Sequence, residues 1–202
     1  YTLSLHDALP IYEPVVELVN NREREYTFAD LPNIGYSTDI DTVMASSYQV
    51  KKQLQQIVKI EQPITNTLLY KRILRIWNLT RVTTRLQVFI DSLLEDAYKD
   101  PLSGDTIIYW EDKEKAKDCD FYRINSKRDI LDIPILEVMS AARYAIEQQI
   151  SMPTEDLKRL TSQLLGFSRK GNNLDMVTEH TIQLLIDKGI FSHANGMVSM
   201  NN

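Results

Sequence analysis

A mainly helical α+β fold is what this sequence predicts, with one small arrangement used twice. Three observations predict it. Apolar residues recur at the i, i+3, i+4 and i+7 spacing of one helix face through much of residues 47–190. Two corners, WNLTRVTTRL (77–86) and LGFSRKGNNL (165–174), align at a constant offset of 88 residues. Each helical run is followed by a short stretch with hairpin signals. Only 6 Gly and 7 Pro in 202 residues argue against an all-β sandwich full of tight turns.

Residues 1–11, YTLSLHDALPI, show no period and resemble translated sequencing-adapter read-through. They are set aside as non-native. The chain starts without Met, which points to a piece of a longer protein. Residues 12–46 carry Glu13, Glu17, Glu23, Glu25, Asp30, Asp39 and Asp41 against Arg22 and Arg24. With LPNIGYS as loop, this stretch reads as an acidic linker or extended arm. A short helix over residues 15–24 is the alternative.

The first unit spans 47–125. Val50, Leu54, Ile57 and Val58 line one helix face from about Ser47. That helix ends at Gln62, because a residue before proline avoids the α region. Thr65 or Asn66 can cap a second helix with Leu69, Ile73, Ile76 and Trp77 inward, and Asn78 suits its left-handed stop. Thr80 can cap a third helix, with Val82, Leu86, Phe89, Ile90 and Leu93 inward, running to about Lys99. PLSGD (101–105) turns the chain into a strand, TIIYW (106–110). After the charged EDKEKAKDCD (111–120), FYRI (121–124) is the expected second strand of a hairpin.

The second unit spans 132–202. Pro134 suits the first position of a helix with Val138, Ala142, Ala145 and Ile146 inward. Thr154 caps the next, with Leu157, Leu160 and Leu164 inward, and Gly166 stops it. Ser168 begins the last, with Leu174, Val177, Thr181, Leu184 and Leu185 inward, and Gly189 stops that one. Asn195-Gly196 is a strong hairpin turn. Helix, helix, helix, hairpin is the order of a winged helix. Tandem winged-helix-like domains, each three helices plus a small β-hairpin, are therefore expected.

Charge points to a function. The stretch from Gln62 to Ile90 holds Lys71, Arg72, Arg75, Arg81 and Arg85 and no Asp or Glu, in a chain of net charge −5. Any nucleic-acid contact must then come from such a local patch. A third helix of this kind is a recognition helix, approaching DNA through its N-terminal turns. Arg81 and Arg85 lie one turn apart off the apolar face, with Thr83 and Thr84 beside them. Lys71, Arg72 and Arg75 could hold phosphates, and Lys113, Lys115 and Lys117 would sit near the tip of the wing. If all five bases of the stretch neutralise phosphates, the log–log salt slope would be roughly −4 to −5. Ordinary solvated helix surface is the competing explanation. In the second unit Asn173 stands where Arg85 does, Asp175 and Glu179 are added, and Arg169 and Lys170 remain with Lys158 and Arg159 as a small basic cluster; DNA contact is therefore expected through the first helix-turn-helix, with the second unit contributing less, packing on the first or binding protein instead.

No catalytic residues are expected. The chain has no GxxxxGK[ST] loop and no GxSxG elbow. One cysteine, Cys119, and three scattered histidines, His6, His180 and His193, give no metal-ligand spacing. Asp129, Asp132 and Glu137 read as helix caps and solvated surface rather than nuclease acids. Trp77 and Trp110 read as core anchors. No apolar run reaches 18 residues, so no membrane span is expected. A reducing, cytoplasmic setting without cofactors fits best.

The motifs also carry a resemblance. EQPI (61–64) with LLYKR (68–72), WNLTR (77–81), YW (109–110), YR (122–123) and LLGFSRKG (164–171) resemble the helicase-associated domain of unknown function at the C-terminal end of large bacterial superfamily 1 DNA helicases. Those proteins tend to carry a restriction-endonuclease-like nuclease domain just upstream. The resemblance covers about residues 46–200. It departs at Gln62 and Thr65, where the family usually has Gly and His, and at NNLDMVTE (172–179), where it is usually more basic. It implies a non-catalytic accessory module of a helicase–nuclease. Duplex or forked DNA and the upstream helicase and nuclease domains would be its partners. Docking on those domains without DNA contact is the alternative.

Overall fold

The computed structural model describes residues 20–36, 39–103 and 106–201. Residues 1–11, residues 15–19 of the alternative helix over 15–24, and Gly104 and Asp105 of the expected turn lie outside them; residues 20–24 form a turn and the start of a strand rather than a helix. The element order is β1 (Glu23–Glu25), α1 (Ile40–Ala45), α2 (Ser47–Glu61), β2 (Ile64–Thr65), α3 (Asn66–Ile76), α4 (Thr84–Leu93), β3 (Tyr98–Lys99), β4 (Ile108–Trp110) and α5 (Lys113–Lys117). It continues with β5 (Tyr122–Ile124), α6 (Ile135–Glu147), β6 (Met152–Pro153), α7 (Thr154–Leu164), α8 (Asn172–Asp187), β7 (Phe191–Ala194) and β8 (Met197–Met200). The protein is a mixed helix-and-sheet chain of the α+β class.

The offset of 88 residues is a structural one. It relates the starts of α2 and α6, both residues of β2 and β6, the whole of α3 and α7, and the starts of α4 and α8. Two three-stranded sheets share one topology, β2-β4-β3 and β6-β8-β7, antiparallel throughout. The two corners close in the same way. After α3, Asn78 takes φ 49°, its N–H donates to Arg75 O, and Leu79 N donates to Leu74 O at 2.9 Å. After α7, Gly166 takes φ 89°, its N–H donates to Gln163 O, and Phe167 N donates to Ser162 O at 3.0 Å. Both are left-handed stops that satisfy the last helical carbonyls. Asn195 and Gly196, at φ 52° and 76°, make the hairpin turn that the sequence signals.

Each corner rests on its own core. Val50, Leu54, Ile57, Leu69, Ile73, Trp77, Leu86 and Ile90 belong to the first. Ala142, Ala145, Ile146, Leu157, Leu185 and Phe191 belong to the second. Two smaller clusters bridge them: Tyr122, Ile130, Ile133 and Val138 with Leu165 and Leu174, and Ile108, Trp110 and Phe121 against Ile135 and Leu136.

Several sequence expectations need correction. FYRI is not the partner of TIIYW. β4 pairs with β3, inside the stretch read as the end of the third helix, while β5 pairs in parallel with β1. A two-residue strand carries too little pattern to be told from a helix end. Lys113, Lys115 and Lys117 lie on α5, not at a hairpin tip; Asp112 caps that helix by accepting from Lys115 N. The cap of α4 is Thr83, which accepts from Leu86 N, not Thr80. Likewise α8 starts after Gly171 rather than at Ser168, and Pro153 rather than Thr154 is the N-cap of α7.

The expected linker over 12–46 is packed where it is described. It holds β1 and α1, Ala29 is buried, and Leu31, Ile34 and Ile40 lie against the first core. Asp39 caps α1 by accepting from Thr42 N, which keeps its carboxyl below its ordinary pKa.

Candidate nucleic-acid interface

The first corner brings its basic residues to one region but does not leave them all free. Arg72 turns inward. Its guanidinium donates to both carboxylate oxygens of Glu61 at 2.9–3.1 Å and to Tyr26 Oη at 2.9 Å, under the Phe28 ring at 4.4 Å. Glu61 is fully buried, so Arg72 is committed to the interior and is not placed to hold a phosphate. Lys71 donates to the buried Asp132 at 2.6 Å. Arg75 lies 3.7 Å from Asp30 and stacks on Phe28. Arg85 donates to Asp41 on α1 at 2.7 Å, with both side chains exposed. Arg81 is exposed and has no ion pair among the described residues. Thr83 spends its hydroxyl as the cap, and Thr84 opens α4 on the solvent side.

Of the α5 lysines, Lys115 pairs with Glu111 and Lys117 with Glu114 at 2.7 Å, whereas Lys113 is exposed and unpaired among the described residues. At the second corner Arg169 and Lys170 are likewise exposed and unpaired. They border a cavity of about 190 Å³ with Ser168 and Gly171. Lys158, on the same side, is held by Glu155, Asp175 and Glu179 at 3.0–3.3 Å. Burial alone would lower its pKa; these three carboxylates raise it instead. Arg159 pairs with Asp156 on its own helix at 2.9 Å.

Behind the corners lies an ionic hub that the sequence did not disclose. Glu137, expected as solvated surface, is fully buried. Arg123 and Arg128 both donate to its carboxylate, Arg128 at 2.8 Å to each oxygen. Arg123 also donates to the carbonyls of Glu61, Gln62 and Pro63, which ties β5 to the end of α2. The Tyr26 ring covers Arg128 at 4.4 Å and Arg123 at 5.0 Å, and its hydroxyl meets Glu61. Burial by itself would raise the Glu137 carboxyl, but the two guanidiniums hold it down at about 2. Burial, with Glu61 beside it, pushes the Tyr26 phenol up to about 12. Asp132 is buried too and accepts from Lys71 and Thr67, while Asp129 caps the turn at Leu131 as expected. Two acids that looked like surface are therefore internal counter-ions. The only sequence signal was an Arg–Arg–Glu grouping in and after a β-strand, which spacing alone does not distinguish from exposed charge.

Burial first, and then Glu137, push the Cys119 thiol up to about 12, far from a reactive thiolate. Among the described residues no cluster of His, Cys, Asp and Glu could hold a metal ion, and no helix is long and apolar enough to cross a membrane. Trp77 and Trp110 are buried, as core anchors should be.

Residues 45–88 match a family model described as a protein of unknown function (DUF3320), which spans α2, α3 and the first half of α4. No curated protein and no solved structure matches the chain.

Proposed function

We propose that the chain is a non-catalytic module of two winged-helix-like domains that contacts DNA through both corners. One observation carries the reading. Arg81 and Arg169, 88 residues apart and each in the turn ahead of its third helix, are both exposed and both unpaired among the described residues. The turn before a recognition helix is where phosphate contacts position a helix-turn-helix protein. Lys170, Thr84 and a releasable Arg85 complete the surface. The shared strand order of the two sheets supports the winged-helix reading. By resemblance, the module belongs to a helicase–nuclease and works beside its motor, in the cytoplasm.

The contact set is smaller than composition indicates, because Arg72 and Lys71 serve internal acids. With Arg81, Arg169 and Lys170 as phosphate contacts, the log–log salt slope is about −3. Fluorescence anisotropy with labelled duplex and forked DNA tests this. Binding at low salt with that slope, weakened by Arg81→Ala and by Arg169→Ala/Lys170→Ala, is expected. Failure of both DNAs to bind at low salt ends the reading.

A second reading has its own observation. Val88, 64% exposed on the outward face of α4, borders a groove of about 380 Å³ lined by Met44, Thr84, Arg85, Phe89 and Ser92. An apolar groove suits a protein surface better than phosphate, and docking on the helicase or nuclease domains would use it. Loss of such docking on Val88→Asp, with no DNA binding at any salt, would favour it.

A further inference from the structure

The acidic segment before α2 does more than fill space beside the first corner. Phe28 stacks under Arg75, Asn33 donates to Arg75 O, and Ile34 N donates to Ile76 O at 3.0 Å. Further along, Asp41 in the first turn of α1 accepts from Arg85. The segment is thus fastened at the end of α3 and again at the start of α4. Its two paired carboxylates, Asp30 and Asp41, are 84% and 73% exposed, and their arginine partners are more than half exposed.

We infer that Asp30 and Asp41 occupy, on Arg75 and Arg85, the positions that two phosphates of bound DNA take, so that the segment competes with DNA for the first corner. The inference rests on the DNA-binding reading above. A carboxylate and a phosphate oxygen satisfy a guanidinium with the same donor geometry. Exposed pairs of this kind contribute little to stability and exchange readily. The interior pair Arg72–Glu61, with Glu61 fully buried, has no such freedom, and no phosphate can replace it. The second corner offers the contrast: Arg169 and Lys170 make no ion pair among the described residues, the acids of their cavity, Glu155 and Asp175, being paired with Lys158. The first corner is therefore restrained and the second open.

Binding of the full chain to labelled duplex DNA at low salt tests the inference. Asp30→Asn/Asp41→Asn is expected to tighten binding by about 3- to 10-fold, because two competing charges leave the site. Asp96→Asn is the control. It removes an equally exposed charge, paired with Lys51, away from the corner, and should change affinity by less than about twofold. In a double-mutant cycle, the gain from Asp41→Asn should vanish on the Arg85→Ala background. An equal gain from Asp96→Asn overturns the inference as a net-charge effect, and a gain that survives Arg85→Ala overturns the pairing. Wild-type binding with no gain from the double variant overturns the inference and leaves the DNA reading standing. No binding by any variant overturns both.

Discussion

The corner of α3 and α4 and the corner of α7 and α8 share a frame and differ in charge. Both have an eleven-residue helix and a left-handed stop, and the following helix starts at the same offset. In the first, Arg75 and Arg85 meet acids brought by the preceding segment. In the second, Lys158 is surrounded by acids of its own two helices while the turn residues Arg169 and Lys170 stay unpaired. The same backbone tolerates both patterns. Surface charge at these corners is therefore not a requirement of folding, and what varies between them is available to function.

The largest effect that would break the comparison is loss of what holds the two corners together. Glu137→Ala leaves two guanidiniums buried without their carboxylate and should cost about 3–5 kcal/mol. Urea denaturation measures it, and a single transition splitting into two would show that the hub couples the halves. The pH dependence has a definite sign. The folded carboxyl sits at about 2 against an ordinary 4.5, so its contribution is complete above about 4.5 and lost as pH falls toward 2. The amount is about 3 kcal/mol. Glu137→Gln should flatten the acid limb of a stability-versus-pH curve.

Next in size are the effects at the proposed DNA contacts. Arg81→Ala should reduce the salt slope by about 1, and Arg169→Ala/Lys170→Ala by about 2. Equal losses at the two corners would sharpen the view that both engage; a loss at one alone would break it.

A smaller effect tests the stops. Gly166→Ala places a Cβ at φ 89° and should cost about 1 kcal/mol. Asn78→Gly, at φ 49°, should lie within about 0.5 kcal/mol of wild type, because asparagine tolerates that region. Thermal melts of the two variants compare them. The smallest effect is expected for Lys117→Ala on α5, whose exposed pair with Glu114 should contribute less than about 0.5 kcal/mol.

Much of this was legible in the sequence because it is local. Helix faces such as Val50–Leu54–Ile57 and Leu157–Leu160–Leu164 follow from spacing, and Asn78, Gly166 and Asn195-Gly196 announce their turns. The repeat offset was visible in residues before it was visible in elements. The failures share a cause. β1 with β5 and Lys71 with Asp132 are pairings between distant residues, and for Arg123 and Arg128 with Glu137, closer in the chain, charge gives no period by which to read burial. Arg72 looks like a surface arginine from its neighbours in sequence. Only Glu61, one helix earlier and turned inward, makes it an interior one. The pairing of β3 with β4 was missed for the opposite reason: Tyr98–Lys99 is too short to show a period.

The strand pair β1–β5 has a mechanical consequence. Its register sets Glu23 beside Tyr122 and Glu25 beside Ile124, running in the same direction. Tension on the chain ahead of Asn20 therefore pulls β1 lengthwise along β5, loading its bonds together rather than peeling them one by one. Arg22, anchored to Asp120 and Glu147, takes the load first. Tyr26 then passes it to Glu61 on one side and to Arg128 on the other. The segment from Arg22 to Tyr26 is thus tied to both halves, to Glu61 and Arg72 on one side and to Arg128 and Glu147 on the other.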